Sequence, residues 1–130
     1  MPTMLVRVVT PEREVWRGEA TGLVARGLEG EVGILPGHAP LLVELGIGVL
    51  RIQQGDREER AAVHGGFLHV VDGAAPRVDV LAEMAELASE IDVERARLAR
   101  ERAERRVEEV ADTEARADLA RALTRLRLGE

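Results

Sequence analysis

The sequence predicts a β + α protein: an N-terminal antiparallel β-sandwich or barrel over residues 1–86, then a C-terminal two-helix antiparallel hairpin over residues 87–130. Three observations point there. Every glycine except Gly129, and all five prolines, fall before residue 87, where they divide the chain into short apolar runs. Several runs alternate, as in Arg77-Val78-Asp79-Val80, which is the period of a strand with one wet face. Beyond residue 87 Ala, Leu, Glu and Arg dominate, all good helix formers, with neither glycine nor proline until Gly129.

In chain order, Met4–Val9 is rich in β-branched residues and ends at the turn Thr10-Pro11. Further strands are expected at Ala20–Leu28, Glu31–Leu35, Leu41–Leu45, Gly48–Gln53, Arg60–His64, Phe67–Val71 and Arg77–Ala82. Trp16 and Phe67 are the only aromatics, so Val, Leu and Ile must build the core. In the tail, Ser89 or Asp92 can cap the first helix, since either side-chain oxygen can accept an orphan backbone N–H. Val93, Ala96, Ala99 or Arg100, Ala103, Val107 and Val110 trace its apolar stripe. Ala115, Leu119, Ala122 or Leu123 and Leu126 trace the second, with Asp112-Thr113 as its cap. Stripes this thin and alanine-rich let two helices pack closely.

The junction over 108–113 contains no helix breaker. Asp and Thr cost only about half a kcal/mol each relative to Ala in a helix. The segment can therefore turn back as a hairpin or run on as one long helix, with a small gap between them. That is the property a switch requires.

At 130 residues the chain is one domain, or a small domain with an appendage. A net charge of −6 argues against nucleic-acid binding. The absence of cysteine excludes disulfides and thiolate metal sites. No secretory segment opens the sequence, and no apolar run approaches the roughly 20 residues of a membrane span, so a soluble, cytoplasmic protein is expected. His38 has no serine or cysteine motif to work with, and Ser89 is the only serine. His64 and His69, five apart, are expected on opposite faces of a strand and make a poor metal pair. The glycines form neither GxGxxG nor a Walker loop. No catalytic signature is present, and structural roles are expected for all three histidines.

Arg95, Arg97, Arg100 and Arg102 crowd the start of the first helix. Arg97, Arg100, Arg102 and Arg105 have glutamates within a turn and read as a solvated face, where each exposed pair contributes about 0.3–0.5 kcal/mol. If the chain turns near residue 111, Arg95 lies across from about residue 127, within reach of Arg125. Arg121 and Arg125 are four apart and share a helix face, where like charges repel. Asp118 is an ordinary partner for Arg121.

Three segments carry a family resemblance. GEVGILPGHAPLL (30–42), Gly65-Gly66-Phe67-Leu68-His69-Val70 and Ile91-Asp92-Val93-Glu94-Arg95-Ala96 resemble, in order and spacing, the epsilon subunits of bacterial F-type ATP synthases. The resemblance spans the whole chain. It implies a β-sandwich followed by a helical hairpin, in a non-catalytic central-stalk subunit that needs no cofactor. The implied partners are the gamma subunit and the c-subunit ring, with Glu31, His38, Ala39, Pro40, Leu41 and Leu42 at the ring contact. An extended tail would meet the alpha/beta catalytic head and block ATP hydrolysis, whereas the folded tail permits turnover. The implied location is the cytoplasmic face of the cell membrane, reached only through the complex.

In several relatives the folded hairpin binds ATP as a regulatory ligand through an I/L-D-x-x-R-A motif. Here Ile91, Asp92, Arg95 and Ala96 fill that motif, Arg121 and Arg125 match the second-helix arginines, and Glu86 matches an upstream acid. A polyphosphate would convert the Arg121–Arg125 repulsion into charge-assisted hydrogen bonds. The second helix departs from the family in opening Asp112-Thr113-Glu114-Ala115, without the aromatic many relatives carry nearby. The rival expectation is a free-standing nucleotide-sensing module. Co-purification with a gamma subunit separates the two, since the rival predicts none.

Overall fold

The computed structural model describes residues 2–73, 75–109 and 113–129. Seven strands come first: β1 (Met4–Val9), β2 (Glu14–Ala20), β3 (Gly22–Gly27), β4 (Gly30–Ile34), β5 (Leu41–Gln54), β6 (Arg57–Val71) and β7 (Arg77–Leu87). They form one sheet in the order β2-β1-β7-β6-β5-β3-β4. Two helices follow, α1 (Val93–Glu109) and α2 (Thr113–Gly129). Strands then helices is the order the composition predicts. One pairing departs from a purely antiparallel sheet: β1 and β7 run parallel, from Leu5 opposite Arg77 to Val9 opposite Leu81. The last strand enters the free edge of the first from the same end.

The single sheet becomes a sandwich by bending across three long strands. In β5 the core residues are Leu45, then Leu50 and Ile52. In β6 they are Ala61 and Val63, then Leu68 and Val70; in β7, Val78, Val80 and Ala82, then Ala85. Each strand therefore switches which alternate residues face inward. The switches line up, because Leu45 pairs with Gly66 and Gly66 with Ala82. Gly66 has φ +115°, and a Cβ there would lie 2.1 Å from the Leu81 carbonyl oxygen. Only glycine fits this corner. Beyond the bend the sheet meets itself, as Thr21 N–H donates to the Gln53 carbonyl (2.8 Å) and Gln54 Nε2 to that of Glu19 (2.9 Å). Leu23, Ile34, Leu50, Ile52 and Leu68 fill the interior. Burying each contributes about 1.5–3 kcal/mol.

This bend corrects the strand list. The expected pairs Leu41–Leu45 with Gly48–Gln53, and Arg60–His64 with Phe67–Val71, are two continuous strands with glycines bent inside them. The charged edge strand β2 was not expected. His64 and His69 were expected on opposite faces, yet the corner between them leaves both pointing away from the core, one on each side of the bend.

Asp92, rather than Ser89, caps α1: the Arg95 amide donates to Asp92 Oδ1 (3.1 Å) and the Ala96 amide to the Asp92 carbonyl (3.0 Å). Ser89 sits in a 3-10 turn, Ala88–Glu90. α2 packs on β5 and β6, and α1 packs on α2. Ala62 is fully buried yet outside the sandwich core, because α2 covers the outer face of β6. Ala96, Ala103 and Ala122 are buried where the helices meet. The helices are antiparallel, with Val93 at the start of α1 against Gly129 at the end of α2. Side chains over 106–115, including the expected junction at 108–113, lie outside the described residues.

Candidate functional site

Where β7 ends, the chain passes through the 3-10 turn into α1, and α2 returns alongside. Three successive segments thereby bring polar groups to one place. An open cleft of about 500 Å³ is lined by Met84, Glu86, Glu90, Asp92, Arg95, Ala96, Ala99, Arg102 and Arg125. Five of the seven residues singled out in the sequence are in that lining: Glu86, Asp92, Arg95, Ala96 and Arg125. Arg121 lines an adjoining cleft of about 200 Å³ that shares Ala99, Arg102 and Arg125 with the first. Ile91 is half-buried and is not among the lining residues.

The carboxylates here are already engaged. Arg125 Nε donates to Glu86 Oε1 (2.7 Å), and its second nitrogen approaches Met84 Sδ (3.4 Å). Glu90 accepts from Arg13 (2.8 Å) and from the Leu87 amide (3.0 Å). Asp92 is committed to the α1 cap, and Arg121 donates to Asp118 (3.0 Å). Among the described residues the guanidinium groups of Arg95 and Arg102 have no ion-pair partner. Beneath the cleft, His64 is 2% exposed and neither ring nitrogen has a hydrogen-bond partner. Burial, aided by Arg125 and Arg121, pushes its pKa down to about 4. It is therefore neutral at pH 7, and its Nε2 lies 3.9 Å from Glu86 Oε1. The arrangement suits an anion: two uncommitted arginines, two more paired with Glu86 and Asp118, and apolar surface on Met84, Ala96 and Ala99.

Sequence reasoning assigned Arg102 to the solvated face, but it lines both clefts. Its spacing of seven from Arg95, two helical turns, was the available signal. Arg13 and His64 carried none, since both arrive from distant parts of the sheet. Arg97 and Arg100 do lie in surface ion pairs, with Glu94 and Glu104.

The second predicted group lies at the β3–β4 end of the sandwich. Glu31, Leu41 and Leu42 line a shallow cleft of about 570 Å³ with Leu28 and Glu29. His38, Ala39 and Pro40 lie outside it, in the loop before β5. That loop opens with a turn in which the His38 amide donates to the Leu35 carbonyl (3.1 Å) and Gly37 takes φ +87°, so Pro36-Gly37 suits a type II turn. Leu28 and Leu42 in this cleft, and Leu35 at the start of the loop, are each more than 60% exposed.

Comparison with known proteins decides the family. The model described as ATP synthase, Delta/Epsilon chain, beta-sandwich domain matches residues 3–88, and that of the long alpha-helix domain matches residues 89–130. The chain belongs to the ATP synthase delta/epsilon chain family. It is 53% identical over 127 residues to the ATP synthase epsilon chain of Thermobifida fusca, covering 95% of this chain and 90% of that one. The epsilon chain of Brevibacillus brevis is 52% identical over 110 residues, covering 84% and 81%. Among solved structures, a chain of the Euglena gracilis mitochondrial ATP synthase (OSCP/F1/c-ring) superposes with a TM-score of 0.76 at 25% identity, covering 98% of this chain and 80% of that one.

Between the two family domains the main cleft is divided. Met84 and Glu86 come from the sandwich part, and the other lining residues come from the helical part. The cleft is whole only while the helices lie against the sheet.

Proposed function

We propose that the chain is the epsilon subunit of an F-type ATP synthase, a non-catalytic rotor part of the central stalk whose helical tail is a latch read by ATP. Family membership and the likeness to an ATP synthase chain support the first part. In this reading the subunit joins the gamma subunit to the c-subunit ring at the cytoplasmic face of the membrane, to which it is bound only through the complex. Glu31 and the segment His38–Leu42, beside the exposed Leu28 and Leu35, meet the ring. Released from the sheet, the tail reaches the alpha/beta catalytic head and blocks hydrolysis.

One observation carries the latch: Glu86 on the sheet and Asp92, Arg95 and Arg125 on the helices share one cleft. A ligand that fills it binds the docked tail and not the released one. Such a ligand stabilises docking by RT ln(1 + [L]/Kd), about 2.7 kcal/mol at a hundred times Kd. ATP suits the chemistry, its phosphates taking Arg95, Arg102, Arg121 and Arg125 while Met84 and the helix alanines face its apolar part.

Reconstitution into an epsilon-depleted catalytic head tests this. With wild-type protein, hydrolysis is expected to be inhibited at low ATP and relieved as ATP rises. With Arg121→Ala/Arg125→Ala, inhibition persists to higher ATP because ATP no longer adds to the stability of the docked tail. Identical ATP dependence for the two proteins would remove the latch while leaving the rotor assignment standing.

A further inference from the structure

On the opposite flank of α2 a second cleft, of about 400 Å³, opens between the last turns of that helix and the outer faces of β3, β5 and β6. It shares no lining residue with the clefts around Arg125. Four arginines converge on it from four elements: Arg26 of β3, Arg51 of β5, Arg60 of β6 and Arg127 of α2. The only carboxylate in its lining is Glu31.

The charges gather there at a cost to the fold. Arg51 and Arg60 are direct cross-strand partners, a like-charge pairing that destabilises a sheet. Arg26 lies across Gly48, where a Cβ would come within 2.6 Å of its Cδ, so the strand gives up a side chain to admit it. Among the described residues Arg26, Arg51 and Arg127 have no ion-pair partner, and the one pair Arg60 makes, with Glu58, is long at 3.9 Å. Glu31 stands opposite Arg26 in the β3–β4 register without closing an ion pair. Arg127 lies in the last turn of α2, where its charge offsets the negative end of the helix dipole. Val49 and Leu123 give the cleft apolar lining between the arginines.

We propose that this cleft binds a phosphate-bearing anion, which ties the C-terminal turns of α2 to the sheet. Guanidinium forks from four directions match the several oxygens of a phosphate, and a concave site of this size suits a small group. The phosphate comes from a free polyphosphate or from the headgroup of an anionic lipid, and the test separates the two.

The full-length chain carrying Arg121→Ala/Arg125→Ala removes the arginines of α2 from the other cleft. Inorganic tripolyphosphate is titrated into this protein by calorimetry, and the protein is also sedimented with vesicles of phosphatidylglycerol or of phosphatidylcholine. Saturable heat identifies the free anion; sedimentation with phosphatidylglycerol but not phosphatidylcholine identifies the lipid. In either case, adding Arg51→Gln/Arg127→Gln, both exposed side chains with their stems retained, weakens binding by about tenfold or more. The proposal is overturned if neither probe binds, or if binding is the same with and without Arg51 and Arg127. Because the Arg121 and Arg125 side chains are absent throughout, failure here leaves the ATP latch untouched.

Discussion

Gly66→Ala is expected to destabilise the protein by more than about 3 kcal/mol. The new Cβ would sit 2.1 Å from the Leu81 carbonyl oxygen and 2.8 Å from Ala82 Cα, at φ +115°. Both obstacles are backbone of the paired strand and cannot swing aside. Relief requires β6 and β7 to part at the bend, where three strands change the residues they turn inward. For a chain of this size the thermal midpoint falls by roughly 4 °C per kcal/mol, so a drop above about 10 °C is predicted. Gly73→Ala is the control. It has φ +122° but nothing within 4 Å of the added Cβ, so only the backbone cost of about 1–3 kcal/mol applies, without the clash. Equal midpoints for the two variants would show that the corner at Gly66 is not what folds the sheet.

Acidification is expected to weaken the fold through His64. Its pKa is about 4 in the folded protein and 6.5 when exposed. Between those values the unfolded chain binds the proton and the folded one does not, so stability rises with pH. The contribution is fully present above pH 6.5 and is lost as pH falls toward 4. From pH 7 to pH 5 the loss is about 2 kcal/mol. The charged groups around the ring are Glu86 on β7 and Arg121 and Arg125 on α2, while β5 faces it with Ile47. Undocking α2 alone would expose the ring and remove both arginines, so in the proposed latch acid in this window would favour the released tail.

Asp79 acts with the same sign at lower pH. Burial raises its pKa, but hydrogen bonds from Arg7 (2.9 Å) and Arg77 (3.0 Å) outweigh that and hold it below the usual range. His64→Leu keeps the buried volume and sacrifices no hydrogen bond. Urea midpoints at pH 7 and pH 5 should then differ much less in this variant than in the wild type. Equal pH dependence would mean the ring is not held neutral by its surroundings.

These two residues also mark what was legible in the sequence. Strand periodicity and the change of composition at residue 87 are local signals, and local reading found them; it narrowed the cap to Ser89 or Asp92, and the structure uses Asp92. Gly65 and Gly66 looked like a turn because a glycine pair usually punctuates. Their role as a bend shows only when Gly66 is set against Leu45 and Ala82 across the ladder. The charged strand β2 was missed because its buried residues, Val15 and Ala20, are five apart and no alternation stands out. His64 is buried by a helix that begins some fifty residues later, which no local pattern can announce. The cleft was more legible, since Asp92, Arg95 and Ala96 lie on one motif and Arg121 and Arg125 on one helix face. Arg102 was lost to its neighbouring glutamates, although its two-turn spacing from Arg95 pointed to the same face.

The most direct test of the latch is calorimetric titration of ATP into the full-length protein, beside Arg121→Ala/Arg125→Ala. Saturable binding to the wild type is expected, and its loss in the double variant, with the helical tail still folded. No saturable heat up to millimolar ATP, or equal binding by both proteins, would contradict the latch.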